Sequence, residues 1–191
     1  MAEKKRSIIG SASLIVIVML ASKLLGFARQ MAIASAFGAD VNTDVYVVSS
    51  DFMISLSGAL LSALSTALIA RYIEIAVKDS KTAANRVASQ MLSLFLLIGG
   101  VCILLINLFA PQIAYVLAPA WTGETAARLV RYLRFFSITF IFTAFQSIYA
   151  SVLNANDRFV PGKLYGIVYN PIAIFCVLVL SDRFGIRVLL W

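Results

Sequence analysis

The chain has 191 residues, 61% of them hydrophobic and only 13% charged, with a formal charge of +7 from 16 basic and 9 acidic residues and no histidine. A soluble domain carries about 25% charged residues, so the composition excludes an ordinary soluble domain, and the lack of histidine excludes His-based triads and His-ligated metal sites. The two cysteines, Cys102 and Cys176, lie inside apolar runs and read as small packing residues, suggesting neither a disulfide nor a metal site.

The basic residues flank apolar runs. The positive balance is therefore read as membrane topology, with no nucleic-acid partner implied. The opening Met-Ala-Glu-Lys-Lys-Arg followed by an apolar run resembles a signal peptide. The run is longer than the roughly 7–15 residues of a signal-peptide core, so an uncleaved first span is expected. That span covers about 7–39 and is charged only at Lys23 and Arg29; it is tilted or broken near Gly26, or has a re-entrant end. After a short connection at 40–43, a second span covers about 41–70, charged only at Asp44 and Asp51. Within it Gly58, Ser62 and Thr66 recur every fourth residue, a spacing that admits close approach of a neighbouring helix.

Residues 71–86 read as a polar loop carrying Arg71, Lys78, Lys81 and Arg86. The third span, about 87–110, is uncharged, with Gly99-Gly100 at its centre. Pro111, Tyr115, Pro119 and Trp121 suggest that 111–124 lies at headgroup level. The fourth span, about 127–156, opens with Arg128, Arg131 and Arg134, read as interfacial anchors rather than a voltage sensor. It continues with an aromatic run (Phe135, Phe136, Phe140, Phe142, Phe145, Tyr149) read as packing and lipid contact. A polar turn at 154–163 leads to a fifth span, about 164–181, with a kink expected at Asn170-Pro171. Residues 184–191 read as the start of a sixth span. The expected fold is all-α, a polytopic membrane helix bundle with the whole of 1–191 as one transmembrane lobe.

Cation asymmetry sets the expected orientation. With the N-terminus inside, Lys4, Lys5, Arg6, Arg71, Lys78, Lys81, Arg86, Arg158 and Lys163 fall on the cytoplasmic side. Only Arg128, Arg131, Arg134, Arg183 and Arg187 fall outside, which favours a cytoplasmic N-terminus.

Ionisable residues inside a span are expensive and face a bundle interior or a water-filled cavity. Lys23 and Arg29 are six residues apart, about 120° around a helix, and can line two walls of one cavity. Snorkelling to headgroups suits one cation near a helix end and suits two mid-run cations poorly. Pairing with Asp44 or Asp51 is the competing account. Asp44 and Asp51 are seven apart and share a helix face. Asp44 also suits a helix N-terminus, while the deeper Asp51 suits a cation partner or a coupling ion. There is no Walker-type phosphate loop and no metal-ligand spacing, so no cofactor is implied and transport would draw on a gradient or the membrane potential.

The stretch Ser22-Lys23-Leu24-Leu25-Gly26-Phe27-Ala28-Arg29, then Ala36-Phe37-Gly38-Ala39, then Thr43-Asp44 resembles the N-terminal signature of the MviN/MurJ lipid II flippases, within the multidrug/oligosaccharidyl-lipid/polysaccharide exporter superfamily. Leu153-Asn154-Ala155-Asn156-Asp157-Arg158-Phe159 is similar to the family's link between its fourth and fifth helices. The resemblance covers about the first 185 residues. It implies the N-terminal lobe of a two-lobe flippase whose remaining C-terminal helices lie beyond this sequence. It places cavity cations on Lys23 and Arg29 and an acid on Asp44. Lys23 stands where the family motif has arginine, Gln30 where an aspartate follows, and Met53-Ile54-Ser55-Leu56-Ser57 replaces a stretch that carries a further arginine.

The expected function is therefore non-enzymatic: translocation of a polyprenyl-pyrophosphate-linked sugar, in first place lipid II, by alternating access in a bacterial cytoplasmic membrane. Lys23, Arg29, Asp44 and Asp51 are the expected substrate-binding residues. The alternatives are a flippase for another lipid-linked oligosaccharide, a drug/cation antiporter of the same superfamily, and a non-transporting scaffold in which the two cations are paired and dispensable.

Overall fold

A computed structural model describes residues 2–38 and 40–184. Seven helices follow one another: α1 (Ala2–Phe37), α2 (Val41–Lys78), α3 (Lys81–Leu117), α4 (Gly123–Ser137), α5 (Thr139–Ala155), α6 (Phe159–Lys163) and α7 (Tyr165–Phe184). Among the described residues there is no strand. Among the described residues five stretches are long and apolar enough to cross a membrane, with α4 and α5 together forming the fourth and α6 and α7 the fifth. The protein is an all-α, multi-pass membrane bundle.

The helices are longer than the apolar runs alone predict. α2 holds 38 residues and α3 holds 37, about 57 and 55 Å at 1.5 Å per residue, against a hydrocarbon core of about 30 Å. The expected polar loop at 71–86 is instead a helical hairpin with its tip at Asp79-Ser80. Helix continues there because Glu74 bridges Arg71 at 2.7 Å and Lys78 at 2.9 Å within one face of the last turns. Lys78 and Arg71 hold the exposed Glu74 carboxyl below the usual carboxylate range. Ser80 then caps α3, its hydroxyl accepting from the Ala83 N–H at 3.2 Å. α3 also runs through Pro111 to Leu117, into the segment expected at headgroup level. Residues 185–191, where a sixth span is expected to begin, lie outside the described residues.

The chain divides into two compact units, Met1–Asp40 with Arg158–Trp191, and Val41–Asp157. In the second, α2 packs against α3, α4 and α5, and α3 against α4 and α5. The fourth span is broken at Ile138. The Ser137 hydroxyl donates to the Arg134 carbonyl and the Thr139 hydroxyl to the Phe136 carbonyl, each at 2.6 Å. The Ile138 N–H falls short of a full helical turn, reaching the Phe135 carbonyl at 3.3 Å and the Phe136 carbonyl. Such side-chain competition for carbonyls bends a helix. The break divides the core in two. α4 closes one half with Leu129 and Leu133 against Val45, Met53, Ile106 and Ala114. α5 closes the other with Phe140, Ala144 and Ile148 against Leu61, Leu68, Tyr72, Ala88 and Phe95. Gly99 admits the Phe140 ring, which lies 3.5 Å from where a Cβ would stand.

The packed face of α2 is Ser49, Met53, Ser57 and Leu61. The expected small-residue contact at Gly58, Ser62 and Thr66 does not form: all three are exposed, and a Cβ on Gly58 would meet nothing within 4 Å. The larger side chains Met53 and Leu61, one position toward the neighbouring face, have the volume to fill the space between helices, and they take the contact.

In the other unit α1 packs along α7. α1 runs unbroken through Gly26 and ends at Gly38, whose φ of +65° is the left-handed conformation glycine adopts freely. Its N–H bonds to the Ala34 carbonyl at 2.9 Å. α7 runs without interruption through Pro171. Gly166 is required where α7 approaches α1, because a Cβ there would lie 1.8 Å from the Ser22 hydroxyl oxygen.

Candidate functional site

Val18, Ser22, Gly26, Arg29 and Ile33 fall within about 80° of one another around α1. This stripe carries the α7 contact. Val18 and Ile33 are buried, Ser22 meets Gly166, and Gly26 has the Asn170 amide nitrogen 3.8 Å from where a Cβ would stand. Asn170 is itself buried, donating to the Gly166 carbonyl at 2.7 Å and to the Ser22 carbonyl at 3.3 Å. Asn170, beside Pro171, is thus a polar bolt between two helices.

Arg29 sits on this same stripe. It is half-buried, and its guanidinium carbon lies 5.3 Å from the centroid of the Tyr169 ring. Tyr169 is stacked on Tyr165, one turn earlier on α7, with centroids 5.4 Å apart and planes 8° from parallel. Arg29 Nε is buried without a hydrogen-bond partner among the described residues. Ion pairs form at Arg71–Glu74, Lys78–Glu74 and Arg128–Glu124, and Arg29 takes part in none among the described residues. A cation lying against an aromatic face is stabilised by the ring quadrupole, which leaves its charge and its in-plane donors uncommitted. Lys23, rotated about 120° from Arg29, is exposed, so the structure gives the two cations different surroundings.

In the other unit Asp44 lies in the first turn of α2 and Asp51 two turns further along; both are exposed. Asp44, Asp51, Ser55, Gly58, Ser62 and Thr66 lie within about 40° of one line along the helix, and all are exposed. A polar stripe through a membrane span is unfavourable against lipid and favours water or protein. Among the described residues no group of carboxylates and cysteines is placed to hold a metal ion.

The three arginines of α4 part company. Arg128 donates to the Asn42 amide oxygen and pairs with Glu124 at 2.5 Å, tying α4 to the start of α2, while Arg131 and Arg134 are exposed. The aromatic run does pack: Phe136 meets Tyr46 edge-on at 5.6 Å and Phe140 is buried, whereas Phe142, Phe145 and Tyr149 are exposed on the lipid-compatible surface. Sequence reasoning missed Tyr165 and Tyr169. The available signal was their four-residue spacing beside Asn170 in an otherwise apolar span.

A family model described as lipid II flippase MurJ matches residues 33–191. The chain belongs to the MurJ lipid II flippase family. No curated protein and no solved structure matches it. MurJ proteins are transporters rather than enzymes, and the family and the five spans among the described residues agree on a multi-pass membrane protein. The MurJ match begins downstream of Lys23 and Arg29 and includes Asp44, Asp51, Tyr165 and Tyr169. The two cations therefore rest on their own motif and on the geometry around Arg29.

Proposed function

We propose that this MurJ-family chain forms the N-terminal lobe of a flippase that moves a polyprenyl-pyrophosphate-linked sugar, in first place the peptidoglycan precursor lipid II, across a bacterial cytoplasmic membrane, with its N-terminus in the cytoplasm. The observation that carries the reading is Arg29: a half-buried guanidinium within a membrane span, with no carboxylate partner among the described residues and an unpartnered Nε. Crossing the bilayer core is costly for the pyrophosphate, while the polyprenyl tail stays in lipid. Arg29 grips phosphate oxygens through its planar fork of donors, and Lys23 adds a flexible point charge. Asp44 and Asp51, acceptor-only carboxylates on the polar stripe of α2, receive the hydroxyl and amide donors of the sugar headgroup. Rocking of one lobe against the other exposes the loaded cleft to each side in turn.

Complementation tests this. The full-length parent is expressed in cells depleted of their own lipid II flippase, beside Arg29→Ala. Losing a hydrogen bond to a charged group costs about 1.5–3 kcal/mol, at least tenfold in transport. The parent is expected to restore growth, and Arg29→Ala, inserted at equal level, to fail. A fully active Arg29→Ala protein overturns the site. Absence of rescue by a well-inserted parent moves the substrate to another lipid-linked oligosaccharide, the reading that the departures at Lys23 and at Met53–Ser57 favour.

A further inference from the structure

We infer that Tyr169, backed by Tyr165, is a positioning residue that keeps Arg29 oriented and free of a counterion for an incoming phosphate group. The inference rests on the reading of Arg29 as the headgroup cation, and adds the residue that makes Arg29 usable. A buried cation within a span needs compensation, and two kinds are available. A carboxylate neutralises it and occupies its donor fork, so that an arriving phosphate must first displace the acid. An aromatic face stabilises the charge through its quadrupole without occupying a single N–H. This chain takes the second course. The guanidinium lies 5.3 Å from the Tyr169 centroid, and no acid pairs with it among the described residues.

The platform is itself fixed. Tyr165 and Tyr169 are one helical turn apart and stacked nearly parallel, which restricts the ring that Arg29 lies against. The register between the two helices is set just beside it, by Asn170 bonded to the Ser22 carbonyl and by Gly166 against Ser22. Arg29 is two helical turns from Ser22 and on the same stripe. The contact is thus built into the α1–α7 seam.

The experiment is a binding titration on the full-length protein in nanodiscs, read by intrinsic fluorescence. One arm uses a polyprenyl pyrophosphate in the bilayer and the other inorganic pyrophosphate in solution. Tyr169→Phe keeps the aromatic face and is expected to bind within about twofold of the parent, while Tyr169→Leu is expected to weaken binding about tenfold in both arms. Tyr169→Met provides the same comparison if the leucine variant does not insert. Arg29→Ala in the same titration separates the two ideas. If it abolishes binding while Tyr169→Leu and Tyr169→Met bind like the parent, the positioning role is overturned and the headgroup reading stands. If Arg29→Ala binds like the parent, the headgroup reading falls and the inference with it. A Tyr169 effect seen only with the lipid arm places the ring against the polyprenyl tail and also overturns the inference.

Discussion

The two compact units of this protein differ in the polar group each leaves buried without a partner among the described residues: a neutral hydroxyl, Thr43 Oγ1, in Val41–Asp157, and a charged donor, Arg29 Nε, in the other. In Val41–Asp157 the buried hydroxyls of Ser49, Ser57, Ser137 and Ser151 each donate to a backbone carbonyl of their own helix. Across helices, Ser65 meets Ser147 at 2.6 Å, and Asn107 donates to Ser137 at 3.0 Å. The large side chains Phe95, Phe140, Leu68, Leu129 and Leu133 are fully enclosed. The unit built from α1, α6 and α7 has a thinner seam of Ser22, Gly26, Gly166 and Asn170, and it carries a guanidinium whose Nε bonds to nothing described. A satisfied core specifies shape, whereas an unsatisfied donor in an apolar setting is stable only where something else rewards it. Val41–Asp157 is built as scaffold and the unit of α1, α6 and α7 as instrument.

That contrast is sharpest where a core residue is removed. Phe140→Ala leaves a void facing Gly99 and is expected to cost about 3 kcal/mol, read by unfolding in mixed detergent micelles. A cost near zero would mean that the larger unit is not the rigid one. Gly166→Val forces a side chain into Ser22 and is expected to lose about 2 kcal/mol. Ser22→Gly in the same chain should recover most of it, a coupling that a double-mutant cycle measures. Independent, additive effects would show that the seam is not in contact there. Asn107→Leu removes the bonds to Ile103 and Ser137 and is expected to cost about 0.6–1 kcal/mol, the usual scale for interhelical hydrogen bonds in membranes.

The smallest effect is expected at Glu74, whose carboxylate is open to solvent. Its carboxyl is held below the ordinary value, so whatever it contributes is present above that value and fades as pH falls through the lowered one. Glu74→Gln should leave the melting temperature at neutral pH unresolved from the parent and should flatten any acid-side slope; a large drop would give the hairpin tip a structural weight that solvent-exposed pairs do not carry.

Much of this was legible in sequence because membrane spans announce themselves by length and charge. Lys23, Arg29, Asp44 and Asp51 stood out as charges in apolar runs; of the four, Arg29 lies beside the α1–α7 seam and the other three are exposed. What was not legible followed from tertiary choice. Gly58, Ser62 and Thr66 have the spacing of a contact, but Met53 and Leu61 fill the interface better. The stretch 71–86 has the polarity of a loop, but its ion pairs and the Ser80 cap suit helix equally. The break at Ile138 depends on which carbonyls Ser137 and Thr139 choose, and the Tyr169 platform on the alignment of two helices distant in sequence.

The length of the spans has a consequence for the lipid around them. From Val87 to Leu117 α3 is helical and carries no charge, roughly 46 Å of axis against hydrocarbon cores that range over about 27–33 Å among membranes. A bilayer that thickens by a few ångströms meets more of the same helix and strands no ionised group in oil. α3 should therefore not set the preferred bilayer thickness: any optimum in stability across lipids of increasing acyl-chain length is expected to come from the shorter fifth span, about 164–181.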